Sequence, residues 1–129
     1  MIRFNNVTFA YNGSPKPALS QVSLTINRGE FVLVTGKSGS GKTSLCRTIN
    51  GLIPHFHGGT ISGTITVDGL NPVDASPSTM ATKVGMVFQD PENQLVTSDV
   101  SHEICFGMEN LGFPDNLIAE RLEESLRLL

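Results

Sequence analysis

Two cysteines, one tyrosine and no tryptophan stand among 129 residues. Cys46 and Cys105 are far apart and fit no metal-ligand or redox spacing, so no disulfide scaffold is built on them. Both read as small core residues in a reducing compartment. Basic residues are scarce too. Nine Lys and Arg face twelve Asp and Glu, a net charge of −3. That excludes a basic field for nucleic acid and a polybasic arm for a membrane surface. A polyphosphate would therefore have to be held by local geometry. No apolar run nears the ~20 residues needed to cross a bilayer. The opening MIRFNNVTF shows no cationic segment followed by an apolar one, so no signal peptide is visible. The expectation is a soluble, cytosolic chain, or one docked on a membrane-bound partner. What the chain does have is one domain's worth of residues, 39% apolar, and thirteen glycines.

The apolar pattern has three regimes. VSLTIN alternates Val22, Leu24 and Ile26 against polar neighbours, and TISGTITVDG does the same with Ile61, Ile65 and Val67 before an Asp68–Gly69 turn. Ile2 and Phe4, then Val7, Phe9 and Tyr11, slip by one residue near Asn5–Asn6, which predicts a bulge or a turn between two short strands. These pieces suggest an antiparallel sheet wet on one side. By contrast, Phe31–Thr35 (FVLVT) and Val84–Phe88 (VGMVF) are almost continuously apolar, the pattern of strands buried on both faces in a parallel sheet. The last third is helical. Val100, Ile104, Met108 and Leu111 share one face, with Ser98 or Asp99 as the cap and Gly112 as the stop. Ile118, Leu122, Leu126 and Leu129 repeat that spacing.

Between the first buried-strand pattern and a helix carrying Leu45, Ile49 and Leu52 on one face, with Gly51 near its stop, lies Gly36-Lys37-Ser38-Gly39-Ser40-Gly41-Lys42-Thr43. It satisfies G-x-x-x-x-G-K-[ST], the phosphate loop, or Walker A motif. Glycines let successive amides turn toward one point, and the following helix adds its N-terminal donors. Lys42 brings a full charge to the β- and γ-phosphates, and the Thr43 hydroxyl suits Mg²⁺. A flexible Gly/Ser turn before a helix is the bland alternative. The strand before the loop and the helix after it supply the context the motif requires. Strand, glycine loop, helix and later strand open an α/β fold.

With VTFAYNG, GKSGSGKTSL, GTITVDG and VGMVFQDPENQL in that order, the chain resembles the ATP-binding subunits of ABC transporters. FQDPENQLVTSDVSHEICFGMENLG looks most like the energy-coupling-factor branch, which energises uptake of vitamins or of cobalt and nickel ions. The resemblance implies a P-loop NTPase core with an N-terminal antiparallel β subdomain, an incomplete parallel sheet and the beginning of a helical subdomain. Residues 1–90 would form the β subdomain and core, and residues 91–129 the start of the helical part. It implies ATP and Mg²⁺ as cofactors, with Tyr11 stacking on adenine, Gly36 through Ser44 binding phosphate, and Lys42 and Gln89 serving catalysis. Thr43 and Gln89 would touch the metal. Asp90–Gln94 would lead to the surface where transmembrane components dock, and a second ATPase subunit, identical or not, would complete the site. The location implied is cytoplasmic, peripheral on the inner face of the cell membrane. Asp90 and Glu92 read as a solvated loop face and not as paired catalytic carboxylates, and His55, His57 and His102 read as polar surface and not as metal ligands.

Parts of that family's machinery have no counterpart in these residues. There is no LSGGQ-like signature, no apolar strand ending in Asp-Glu and no switch histidine. The resemblance puts all three beyond a helix like LIAERLEESLRLL, so the expectation is a chain truncated at Leu129, with an uncovered Phe31–Thr35 strand that favours self-association. Hydrolysis by such a chain alone is expected to be negligible. Two other readings stand beside this one: a non-catalytic nucleotide-binding fragment and a soluble phosphate-loop kinase or GTPase.

Overall fold

The computed structural model describes residues 1–90 and 92–128, without the side chain of Asn93. It divides into two compact units, Met1–Met86 and Val87–Leu129. In the first, β1 (Ile2–Tyr11), β2 (Leu19–Ile26) and β3 (Gly59–Val67) form an antiparallel sheet of order β2-β1-β3. The helices α1 (Lys42–Ile49), α2 (Leu52–His55) and α3 (Pro77–Ala81) belong to the same unit.

The centre of the sheet carries the bulge foreseen at Asn5–Asn6, inside one continuous strand. Asn6 sits at φ 52, and the register shifts against both neighbours there. An extra residue flips the alternation. Ile2 and Phe4 before it, and Val7, Phe9 and Tyr11 after it, thereby share one face. Asn6 here, and Gln21 at a second register shift in β2, free backbone donors that hydroxyls on the opposite strand collect. Asn6 N–H donates to Ser23 Oγ at 2.9 Å, and Gln21 N–H, at φ 49, donates to Thr8 Oγ1 at 3.0 Å. Gly63, across from the bulge, has φ 83, and a β-carbon there would overlap the Asn5 and Asn6 carbonyl oxygens. The Asp68–Gly69 turn is also as expected. Both residues have positive φ, and Val67 and Leu70 bond to each other across it.

Two clusters form the core on that face. Phe4, Val7, Ile65, Val67 and Met80 make the first, and Phe9, Leu19 and Ile53 the second. Leu45 of α1 packs against both. Met80 is presented by α3, whose start is capped by Ser76 accepting from Thr79 N–H and by Pro77 in its first turn.

Four expectations need correction. Among the described residues neither Phe31–Thr35 nor Val84–Phe88 pairs as a strand, so there is no parallel sheet, and Phe31 is 96% exposed. An apolar segment without a neighbouring strand cannot form a ladder. Second, α1 ends at Ile49, and Leu52 starts α2, which is a kinked turn because Ile53 is extended. Gly51, at φ 77, makes that break. Third, Cys46 is exposed, whereas Cys105 is buried as expected. On α1 the inward positions are taken by Ser44 and Thr48. Fourth, His57 is half-buried, whereas His55 and His102 are exposed.

The second unit holds a 3-10 turn (Glu92–Gln94), α4 (Val100–Asn110) and α5 (Asp115–Leu128). Asp99 is the cap of α4, accepting from His102 N–H at 3.0 Å. Gly112, at φ 70, closes it with the two reverse bonds of a Schellman motif, Gly112 N–H to Glu109 O and Phe113 N–H to Met108 O. The inward side of α4 is narrower than its spacing predicted: Cys105 is buried, while Val100 and Leu111 are exposed. On α5, Ile118 is buried and Leu122 half-buried, but Leu126 is 45% exposed; Leu129 lies outside the described residues.

Glu103 ties α4 to the segment before it, accepting from Thr97 N–H at 2.8 Å, Thr97 Oγ1 at 3.1 Å and Val96 N–H at 3.0 Å. The Thr97 amide, foremost, holds this carboxyl below the usual glutamate range. A depressed folded-state value means the contribution is present above the unfolded value and lost as pH falls through the folded one. Hydrogen-exchange protection of the Val96 and Thr97 amides should therefore fall on acidification past the ordinary glutamate range. Glu103→Gln should flatten that dependence.

Candidate functional site

The loop from Gly36 to Gly41 takes its shape from glycine. Gly36, Gly39 and Gly41 have φ of 152°, 77° and 93°, a region L side chains avoid. At Gly36 a β-carbon would stand 2.8 Å from Ser40 Oγ, and at Gly41 it would overlap the Ala18 carbonyl oxygen. Gly36 and Gly41 are thus required by close approach as well as by φ, and Gly39 by φ alone. Gly41 is the N-cap of α1 and bonds Leu45 N–H at 2.8 Å; no side chain caps this end, so early helix amides stay available to an anion.

Lys42 folds back over the loop. Its Nζ donates to Gly36 O at 2.7 Å, to Lys37 O at 2.8 Å and to Ser40 Oγ at 3.4 Å. All three acceptors are neutral. Among the described residues no carboxylate pairs with this ammonium. Beside the loop lies a cleft of about 220 Å³ lined by Leu19, Val22, Val34 and Leu45 together with Thr35, Gly36 and Ser40 through Lys42. A cation held by neutral oxygens, beside a helix start that no side chain caps, is chemically suited to a phosphate. The donor set fits a nucleotide's polyphosphate tail, and the exposed Thr43 fits the metal that accompanies it.

Tyr11 belongs to the same unit as the loop and reaches it. Its hydroxyl lies 2.9 Å from Ser44 Oγ in the first turn of α1, and its ring meets Phe9 edge-on, centroids 4.7 Å apart and planes at 77°. Sequence reasoning named both residues but not the bond between them. It named Phe9 only as a strand residue, not for its contact with Tyr11, and missed the Ala18–Leu19 segment that hems in Gly41. Gln89 is exposed and lies in the second unit. Glu92 is exposed as well, while Pro91 and the Asn93 side chain fall outside the described residues.

A glycine loop closed on its lysine at a helix start defines the class, a phosphate-loop nucleotide-binding protein. Comparison with known proteins narrows this. The ABC transporter family matches residues 19–127, so the chain belongs to that family. A candidate ABC transporter ATP-binding protein of Treponema denticola is 44% identical over 124 residues, covering 96% of this chain and 25% of the relative. One of Pyrococcus horikoshii is 42% identical over 129 residues, all of this chain and 45% of the relative. The solved dimeric structure of the ATP-binding cassette MJ0796, in a post-hydrolysis state bound to ADP and Pi, superposes with a TM-score of 0.77 at 25% identity. That match covers 98% of this chain and 56% of the other. The chain thus spans less than half the length of these two curated relatives. The fold is that of part of an ABC ATPase, as expected.

The glycines give a graded test. Gly39→Ala meets open space and should cost only the backbone strain, about 1 kcal/mol. Gly41→Ala adds the collision with Ala18 and should cost at least about 2 kcal/mol. Urea midpoints of the two variants measure the difference.

Proposed function

We propose that this chain is the nucleotide-binding portion of the ATP-binding, energy-coupling subunit of an ABC-type importer. The observation that carries the reading is the Lys42 ammonium inside a glycine loop, held by neutral oxygens and by no carboxylate among the described residues. Gly36 through Ser44 hold the phosphates, Lys42 neutralises them, and Tyr11 stacks on the base, a contact worth about 1–3 kcal/mol in nucleic-acid systems. Thr43 would hold Mg²⁺, and for Gln89, in the second unit, a metal role rests on the family resemblance alone. When bound, MgATP supplies the energy of its terminal phosphoanhydride. The chain's own residues orient that tail and stabilise its charge.

The energy-coupling-factor type, with a vitamin or a cobalt or nickel ion as cargo, is supported by the FQDPENQLVTSDVSHEICFGMENLG segment alone. A second ATPase subunit, homologous or identical, completes the site, and transmembrane components dock through the region after Gln89. Among the described residues no helix is long and apolar enough to cross a membrane, consistent with a cytoplasmic, peripheral position. The bare Phe31–Val34 segment favours self-association of this chain.

Calorimetric titration should show MgATP binding. Lys42→Ala should weaken it about 10- to 100-fold, as expected for a lost charge-assisted contact. Steady hydrolysis by this chain alone should be negligible, because its sequence carries no Asp-Glu strand end and no signature loop. A turnover of about one per second that Lys42→Ala abolishes would overturn the account.

A further inference from the structure

Tyr11 and Ser44 are separated by 33 positions in sequence, yet their hydroxyls are 2.9 Å apart. Ser44 is 6% exposed, in the first turn of the helix that follows the loop. Tyr11 is half-buried at the end of β1, its ring wedged edge-on against Phe9. Phe9 in turn lies where a β-carbon on Gly59 would have to be, opposite Tyr11 in the sheet register. The ring is therefore fixed at two points, by an edge contact from the sheet and by a hydrogen bond from the phosphate-loop helix.

We infer that Ser44 is a positioning residue for the base. Its hydroxyl holds the Tyr11 ring in one orientation, so the base platform and the phosphate loop act as one rigid unit. This rests on the nucleotide-binding reading above. A free tyrosine at a strand end would have to surrender rotamer freedom when a base stacks on it. The bond to Ser44 removes that freedom beforehand, which favours ligands that present base and phosphates together. The partly buried position keeps water from competing fully for the two hydroxyls.

The chain's one tyrosine and absence of tryptophan make Tyr11 the sole source of tyrosine emission. Wild type, Tyr11→Phe, Ser44→Ala and the double variant are each titrated with magnesium ATP and with magnesium tripolyphosphate, which has no base. The ratio of the two affinities is the readout. Each single variant should lower the ATP preference roughly 2- to 10-fold, the worth of one neutral hydrogen bond. The double variant should lower it no further, because both remove the same bond. In the absence of nucleotide, Ser44→Ala should also change the tyrosine emission. An ATP preference that Ser44→Ala leaves at the wild-type value, or that falls additively in the double variant, overturns the inference while leaving nucleotide binding intact. Failure of the wild-type chain to bind magnesium ATP removes the inference together with the reading beneath it.

Discussion

Everything at the site follows from one electrostatic imbalance. The Lys42 ammonium is surrounded by two backbone carbonyls and a hydroxyl, and by no anion among the described residues. Those contacts stabilise the charge without neutralising it, so the loop remains a receptor for negative charge. The backbone can bend that tightly only because positions 36, 39 and 41 carry no β-carbon. With a net charge of −3, the molecule has no general attraction for polyphosphate. Any affinity must come from this small concave region.

The sheet matters to the site through a single slipped residue. A regular strand from Ile2 to Tyr11 would put Phe4 and Tyr11 on opposite faces. The bulge at Asn5–Asn6 brings both to the face covered by α1, and the hydroxyls of Ser23 and Thr8 satisfy amides at the irregular positions. Packing and function meet here. The register that buries Phe4, Val7 and Phe9 is also the one that delivers Tyr11 to Ser44.

Local chemistry was legible in the sequence wherever it decides structure alone. The alternation of Val22, Leu24 and Ile26, the Asp68–Gly69 turn, the Asp99 cap and the Gly112 stop each depend on a few neighbouring residues, and each stands where expected. Long-range conditions were not legible. Phe31–Thr35 has the composition of a buried strand but lacks the partner that burial requires. Val100 and Leu111 fit the helical period yet remain exposed, because a period states which residues share a face and not what covers it. The Tyr11–Ser44 bond depends on sheet register and helix placement together, and nothing in either local string encodes it.

The central claim is that the amides from Gly36 to Thr43 enclose a magnesium-bound triphosphate. Backbone amide chemical shifts recorded during addition of magnesium ATP test it residue by residue. Large, saturable shifts centred on the amides of Gly36–Ser44, with smaller ones at Tyr11 and Gln89, are expected. Saturable shifts centred elsewhere, or a spectrum unmoved by the nucleotide, would contradict it.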